Sequence, residues 1–120
     1  MSAAGGISIH AVDVARGVPA AGLGVRLLRL APDATELAYG VCAAGGHFDH
    51  PTMTGQGITR GTYEVQFDVD AYYRATQPDL PQPPFLDVAV FRFGIDRLSE
   101  HFHLPFKFTP WGFSLFRGGA

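Results

Sequence analysis

Hydrophobic and polar residues alternate with a period of two in several short segments of the chain. In residues 7–12, apolar side chains at the odd positions alternate with Ser8, His10 and Val12. Residues 62–67 show the same alternation. Because successive side chains of a β-strand point to opposite faces, this period predicts strands with one buried face.

Further apolar runs predict more strands, separated by turn-forming sequences. Residues 16–22 contain two glycines and a proline, which favour a turn, and the four prolines in residues 77–84 exclude a regular element there. Seven or eight short strands in one chain predict an all-β sandwich or barrel. The additional predicted strands cover residues 23–30, 36–41, 87–93, 101–108 and 111–117.

One segment does not follow the strand pattern and predicts a short helix. Asp68 ends the alternation of the preceding strand, and Asp70 follows two residues later. An aspartate is a favoured N-cap residue, and a carboxylate in the first helical turn interacts favourably with the helix dipole. We therefore predict one short helix over residues 69–75, capped by Asp68.

Composition restricts the class of protein. The chain has 120 residues, which fits one domain over residues 1–120, and 47% of them are hydrophobic, enough for a packed core. A net charge of −2 argues against a nucleic-acid partner. The single cysteine, Cys42, cannot form an internal disulfide.

The chain also lacks the sequence signals of export or membrane insertion. Residues 1–6 contain no basic residue and no apolar run, so they do not resemble a signal peptide. No apolar stretch approaches the roughly 18 residues of a spanning helix. We predict a cytoplasmic protein with no membrane partner.

Five histidines are the first candidates for chemistry. Strand alternation places His10 on the face of Ser8, and it places His101 and His103 together on one face of a later strand. A histidine on a strand is more often a surface or hydrogen-bonded residue than a catalyst. The spacing of the five resembles no zinc signature, so we predict no metal.

Four sequence blocks, in order and at matching spacing, resemble the 5-hydroxyisourate hydrolases, a family with a transthyretin-like fold. Each block alone is a weak signal, but four in register cover nearly the whole chain. The blocks are residues 9–20, which resemble H-V-L-D-x-x-x-G-x-P-A; residues 61–68; residues 84–93; and residues 101–105 with 109–114, which resemble H-Y-H-V-P-L-L-L-S-P-Y-G-Y-S-T and precede a counterpart of the terminal Y-R-G-S at residues 116–119.

The resemblance implies a fold, an assembly and a reaction. The implied fold is a transthyretin-like antiparallel β-sandwich with one short helix. The implied assembly is a homotetramer with active sites in a channel between dimers. The implied reaction opens the six-membered ring of 5-hydroxyisourate, the small-molecule substrate, by hydrolysis during urate degradation, without a cofactor.

The resemblance also implies roles for individual residues. Hydrolysis of a cyclic amide needs a base for water, an acid for the leaving nitrogen, and stabilisation of the oxyanion. Histidine suits the proton transfers because its unperturbed pKa is ~6.5. His10 and His103 are the catalytic candidates, and His101 is expected to be structural or to line the rim. The substrate-binding candidates are His47, Ser114, Phe116, Arg117 and Gly118.

Three positions depart from the family pattern. His47 replaces an arginine, Phe116 replaces the terminal tyrosine, and Gly119 replaces the terminal serine. An arginine is always charged and binds through a planar fork of donors, and losing such a contact at a reacting centre costs ~2–4 kcal/mol of the barrier. His47 is either a functional replacement or an ordinary loop residue. Arg117 and the main chain near Gly118 are the better candidates for binding the substrate.

These departures leave three functions open. The first is 5-hydroxyisourate hydrolysis, and the second is action on another cyclic or carbonyl substrate, for example in a biosynthetic pathway. The third is non-enzymatic binding of a small apolar ligand in the channel. The histidine pair favours an enzyme, because a carrier channel does not need one.

Overall fold

The computed structural model describes residues 5–119, which form two packed sheets of four strands each. One α-helix and one 3₁₀ turn accompany the eight strands of this region. The elements are β1 (Ile7–Asp13), β2 (Val18–Pro19), β3 (Gly24–Ala31), β4 (Thr35–Val41), the 3₁₀ turn (Pro51–Thr54), β5 (Gly61–Asp68), α1 (Val69–Arg74), β6 (Val88–Ile95), β7 (Phe102–Thr109) and β8 (Gly112–Leu115).

The first sheet has the strand order β2-β1-β7-β8, and the second has the order β4-β3-β5-β6. This confirms the all-β sandwich with one short helix. Antiparallel pairing holds for every strand pair of residues 5–119 except one: β1 and β7 run parallel, with Ile7 opposite Phe102 and Asp13 opposite Phe108. Parallel neighbours need a long connection, and here that connection passes through the entire second sheet.

Inward-facing residues of the two sheets form one hydrophobic core. Along β1 the odd-numbered residues are buried and the even-numbered ones are half-buried, as the alternation predicts. The rings of Phe67 on β5 and Phe106 on β7 stack with centroids 3.8 Å apart, nearly parallel. Each fully buried aromatic side chain contributes ~1.5–3 kcal/mol through removal from water. The core therefore uses one face of β1 and of β7 in the first sheet, and the other face of these two strands lies outside the core.

Helix α1 ends within one residue of its predicted end, but the predicted cap is wrong. Asp68 makes no side-chain hydrogen bond to the helix. Its carboxylate lies against Gly24, where an added Cβ would come within 2.6 Å of Oδ2. Asp70 does stabilise the first turn, because its Oδ2 accepts a hydrogen bond of 2.8 Å from Arg74 Nε one turn later.

A buried carboxylate fastens α1 to the end of β1. Asp13 is completely buried, and its Oδ1 accepts a hydrogen bond of 2.6 Å from the Tyr73 hydroxyl. Its Oδ2 accepts one of 3.0 Å from Tyr72, and the Arg16 amide donates to Oδ1 at 3.2 Å. A buried charge is tolerated only when its hydrogen bonds are satisfied, and these donors meet that need. Burial and the Asp13 carboxylate together raise the pKa of Tyr73.

The last strand is shorter than predicted. It ends at Leu115, which pairs with Phe106; the same register, if extended, sets Phe116 opposite Pro105, and the hydrogen bond from the Gly118 amide to His103 O fits it. Pro105 has no N–H group to donate, so the ladder is interrupted at that pair.

The prediction of no export signal rests on residues 1–6, and residues 1–4 lie outside the described part of the chain. Within residues 5–119, no helix is long and apolar enough to cross a membrane.

Candidate functional site

The outward face of the first sheet brings polar residues from neighbouring strands into rows. The parallel register sets Ser8 of β1 opposite His103 of β7, and His10 opposite Pro105. All four residues are half-buried. The strand assignments of His10 and His103 are thus confirmed, and the two imidazoles belong to adjacent rows of one sheet face.

Ser8 connects two histidines within its row. Its Oγ lies 2.7 Å from His101 Nε2 and 2.7 Å from His103 Nδ1. The other ring nitrogen of His101, Nδ1, donates to the carbonyl oxygen of Gly5. His101 is therefore part of a hydrogen-bonded chain that ends at His103.

A glycine-rich loop places His47 on His10. The Ala11 amide donates to Gly46 O at 2.9 Å, so that His47 forms a bridge with His10 on the side of β1 where β2 pairs only with Val12 and Asp13. The two rings lie 4.6 Å apart, centroid to centroid. Gly46 has a φ of +87°, and an added Cβ would lie 2.4 Å from Ala11 O. Only glycine fits this turn, so the loop is built to hold His47 there.

The loop also fixes the hydrogen on His10. His10 Nε2 lies 3.0 Å from Gly45 O. Because a carbonyl oxygen only accepts, Nε2 is the donor, and the lone pair of a neutral His10 is on Nδ1.

The chain after β8 closes the other side of the site. The Gly118 amide donates to His103 O at 2.7 Å, and an added Cβ on Gly118 would lie 2.9 Å from His103 Cδ2. Gly118 thus packs against the imidazole of His103. Phe116 is opposite Pro105 in the continued register and is 51% exposed.

Arg117 is not part of this cluster. Its guanidinium carbon lies 4.3 Å from the ring centroid of Phe102, which belongs to the core face of β7. Its Nη2 donates to Glu100 Oε1 at 3.4 Å and to His101 O at 3.2 Å. The guanidinium is therefore occupied on the opposite side of the sheet edge from His103.

Ser114 lies on the site face but outside the cluster. It is opposite Lys107, two residues along β7 from Pro105. Its neighbour Phe113 packs on the Phe106 ring, with centroids 5.5 Å apart, so Ser114 points outward.

The surroundings of His103 favour its neutral form. Burial lowers the pKa of His103, and positive charge on His10, His101 and His47 would lower it further. A neutral imidazole near pH 7 is able to accept a proton, as a general base must.

Three residues of this face are not among the predicted catalytic and substrate-binding residues. Ser8 and His101 were not recognised as connected to His103, because their contact depends on the parallel pairing. Lys107, the only lysine of the chain, is exposed on the same face, where the resembled family pattern has leucine. Strand alternation could have predicted the position of Lys107, because it lies four residues after His103 on β7 and therefore on the same face.

No described group suggests a metal centre. Within residues 5–119, no set of three or more His, Cys, Asp or Glu side chains is arranged to hold a metal ion.

Sequence and structure relatives identify the family. Residues 7–118 match the HIUase/Transthyretin family. This chain belongs to that family. The 5-hydroxyisourate hydrolase 2 of Rhizobium meliloti strain 1021 is 40% identical over 119 residues, which cover 98% of this chain and 99% of that relative.

Two solved structures resemble this chain in fold. The Klebsiella pneumoniae 5-hydroxyisourate hydrolase is 29% identical, with a TM-score of 0.77, and the match covers 99% of this chain and all of that one. A structure of (S)-allantoin synthase is 33% identical, with a TM-score of 0.89 over 98% of this chain. This chain spans 45% of the length of that protein.

Proposed function

We propose that this chain is a hydrolase that opens the ring of 5-hydroxyisourate during urate degradation. The observation that carries the proposal is the grouping of His10, His47 and His103 on one sheet face of a chain that belongs to the HIUase/Transthyretin family. A relative named for this activity is 40% identical over almost the whole chain.

The reaction is the hydrolysis of a cyclic amide C–N bond. Water adds to the ring carbonyl, so a C–O bond forms and the C–N bond then breaks. An imidazole takes a proton from the attacking water, and the leaving nitrogen receives one. His10 and His103 perform these transfers, because both are held on rigid strands and both have a ring nitrogen outside the contacts described above.

The remaining predicted site residues bind the ring. His47 lies against His10 and presents an imidazole in place of a fixed cation. Phe116 offers an aromatic surface beside Pro105, and the main chain at Gly118 approaches His103 closely. Ser114 and Arg117 remain candidates, and Arg117 must leave Phe102 in order to reach a substrate beside His103.

We propose a homotetramer because the site lies on an open sheet face. His47 is exposed, and the face and the sheet edges expose large apolar side chains, among them Phe116, Phe113 on β8 and Val90 on β6. A reacting centre open to water loses the electrostatic advantage of a dry site. A second copy of the chain covers the face, and symmetric closed assembly is the usual way to do so.

A second candidate substrate is another cyclic amide. The observation that favours it is the combined change at His47, Phe116 and Gly119, which removes polar groups from the family pattern. Such a site prefers a less polar ring than a hydroxylated purine.

The test is the absorbance decay of freshly generated 5-hydroxyisourate with and without the protein. We expect wild type to accelerate the decay and the double variant His10→Ala/His103→Ala to leave it at the spontaneous rate. Simple cyclic ureides of the hydantoin type, assayed in parallel, test the second candidate. If wild type does not accelerate the decay of 5-hydroxyisourate, the substrate assignment is wrong.

A further inference from the structure

The Ser8 hydroxyl lies between two imidazoles, and the chemistry of each partner limits which of them donates. The chain of contacts runs from Gly5 O to His101 Nδ1, from His101 Nε2 to Ser8 Oγ, and from Ser8 Oγ to His103 Nδ1. The two contacts of the hydroxyl are both 2.7 Å, a normal length for a hydrogen bond.

The direction of each bond follows from the Gly5 carbonyl at one end. A carbonyl oxygen has no proton, so His101 Nδ1 carries the hydrogen. In a neutral His101 the Nε2 atom then has a lone pair and accepts the Ser8 hydroxyl proton. The Ser8 oxygen, having donated its only proton, must accept from His103 Nδ1–H.

We infer that Ser8 and His101 are positioning residues that hold His103 as its Nδ1–H tautomer. In this tautomer the lone pair of a neutral His103 is on Nε2. This nitrogen takes the proton of the attacking water, while Nδ1–H stays bonded to Ser8. The inference rests on the proposed hydrolase function, because it assigns His103 the part of the base.

The two catalytic histidines thereby differ in tautomer. His10 keeps its hydrogen on Nε2, where it donates to Gly45 O, whereas His103 keeps its hydrogen on Nδ1. An imidazole that is free in water exchanges between both tautomers, so each fixed contact removes the unproductive one. Gly118 adds a steric restraint, because its backbone packs on the His103 ring beside Cδ2.

The assignment explains why a serine and a third histidine share this face. Neither residue needs to touch the substrate. The Gly5 carbonyl fixes the donor at His101, and Ser8 extends this donor order to His103 on the next strand. Ser8 reaches His103 because the register of β1 and β7 sets these two residues opposite each other. Three ordered hydrogen bonds thus determine which nitrogen of His103 is available.

The first test is the tautomeric state of His103 in the substrate-free protein, read from ¹⁵N chemical shifts by long-range ¹H–¹⁵N NMR at a pH where His103 and His101 are neutral. We expect wild type to show a protonated Nδ1 and an unprotonated Nε2. A His103 signal with Nε2–H as the major form in wild type overturns the inference, and this outcome does not depend on any activity.

Variants then test the role of Ser8. Ser8→Ala should convert His103 to mixed tautomers and lower kcat by ~10-fold with little change in KM, because the ring must find the productive tautomer in each turnover. Ser8→Thr keeps the hydroxyl and should restore both the ¹⁵N signature and most of kcat. His101→Phe, which removes the acceptor at Nε2, should act in the same direction as Ser8→Ala. The exposed Ser99→Ala is the matched control and should change neither readout.

The outcomes separate the two proposals. If wild type has the expected tautomer but does not hydrolyse 5-hydroxyisourate, the substrate is wrong and the hydrogen-bond assignment stands. If wild type hydrolyses 5-hydroxyisourate but Ser8→Ala keeps the wild-type tautomer and kcat, the positioning role is wrong and the function stands. If Ser8→Ala fails to fold, the wild-type spectrum and the His101→Phe variant decide.

Discussion

His10 and His103 differ at the residue scale in what holds them. The His10 ring donates to a loop carbonyl and lies against the tilted His47 ring, whereas His103 is held by Ser8 and the backbone of Gly118. Both belong to paired strands of the first sheet. His47 depends on a loop that a single glycine conformation maintains.

These differences predict unequal losses on truncation. We expect His10→Ala and His103→Ala each to lower kcat/KM for 5-hydroxyisourate by ~10²-fold or more, which is the usual effect of losing a general acid or base. His47→Ala should lower it much less, because an exposed imidazole on a loop contributes one donor. Steady-state kinetics measure the three variants. A loss at His47→Ala as large as at His10→Ala contradicts the division of roles.

A converse substitution tests the charge at position 47. We expect His47→Arg to raise the rate of 5-hydroxyisourate hydrolysis, because it restores a permanent cation with a planar fork of donors. His47→Lys is the control, since it adds the charge without the fork and should give a smaller increase. Equal rates for wild type and both variants would mean that position 47 does not contact the reacting ring.

The pH dependence of folding stability should depend on His50, which is not a predicted site residue. Burial lowers the pKa of His50 to about 4, against a partial opposing effect of the neighbouring Asp49 carboxylate. The unfolded chain then binds a proton at higher pH than the folded chain, so stability falls as pH decreases from about 6.5 to about 4. His103, whose pKa is also lowered, acts in the same direction.

We expect the free energy of unfolding to decrease by ~1–3 kcal/mol across this window, as measured by urea denaturation. His50→Phe should flatten the profile, because it removes the titrating imidazole. The phenylalanine ring should be accommodated, since the His50 ring already stacks on Phe48 with centroids 4.8 Å apart. A slope that is unchanged in His50→Phe would assign the pH dependence to other groups.

At the scale of elements, the alternation of apolar residues was sufficient to locate strands but not their partners. β1 and β5 begin and end within about one residue of the predicted segments. The parallel pairing of β1 with β7 was not predictable, since no short turn joins them and periodicity carries no information on direction. The contact of Ser8 with His103 depends on that pairing, so it was also missed.

The family resemblance, not strand alternation, made Arg117 a substrate-binding candidate, and the structure places its guanidinium against Phe102, on the other side of the sheet from His103. The predicted last strand includes Arg117, but β8 ends at Leu115, which is opposite Phe106. Beyond the strand, the guanidinium binds the Phe102 ring and the Glu100 carboxylate instead. Strand alternation placed His10, His103 and Ser114 correctly on the outward face of the first sheet.

The attachment of α1 to β1 predicts a specific loss of stability. Tyr73→Phe removes the hydroxyl that donates to the buried Asp13 carboxylate, so Asp13 Oδ1 keeps only the longer hydrogen bond from the Arg16 amide. We expect the free energy of unfolding to fall by ~1–3 kcal/mol. Tyr39→Phe, at a position that is 61% exposed, is the matched control and should be nearly neutral. Equal effects of the two substitutions in urea denaturation would contradict the importance of this hydrogen bond.

At the scale of the whole molecule, the open site face of the first sheet and the exposed apolar side chains of β6, at the edge of the second sheet, predict assembly. We expect multi-angle light scattering to give a mass about four times that of the 12.9 kDa chain at micromolar concentration. A glutamate at Val90, which is 49% exposed on the edge strand β6, should shift the protein to smaller species. A monomeric wild type that still hydrolyses the substrate would show that the face works without a covering subunit.

Family and fold followed from the sequence because their signals are spread over the entire chain. Four blocks in register and a repeated strand period do not depend on any one residue. The tautomers, the position of Arg117 and the exposure of Lys107 depend on single contacts, and they require coordinates.

The division of β1 and β7 into an inner and an outer row of side chains has an evolutionary consequence. Ile9 and Leu104 belong to the hydrophobic core between the sheets, whereas His10 and His103, next to them in sequence, lie half-buried outside it. Selection for a new ligand is therefore able to substitute the outward-facing residues with little loss of folding stability. A library randomised at positions 10, 47, 103 and 116 should contain mostly folded members, with melting temperatures near that of the parent. The same scaffold is thus free to acquire new chemistry one outward residue at a time.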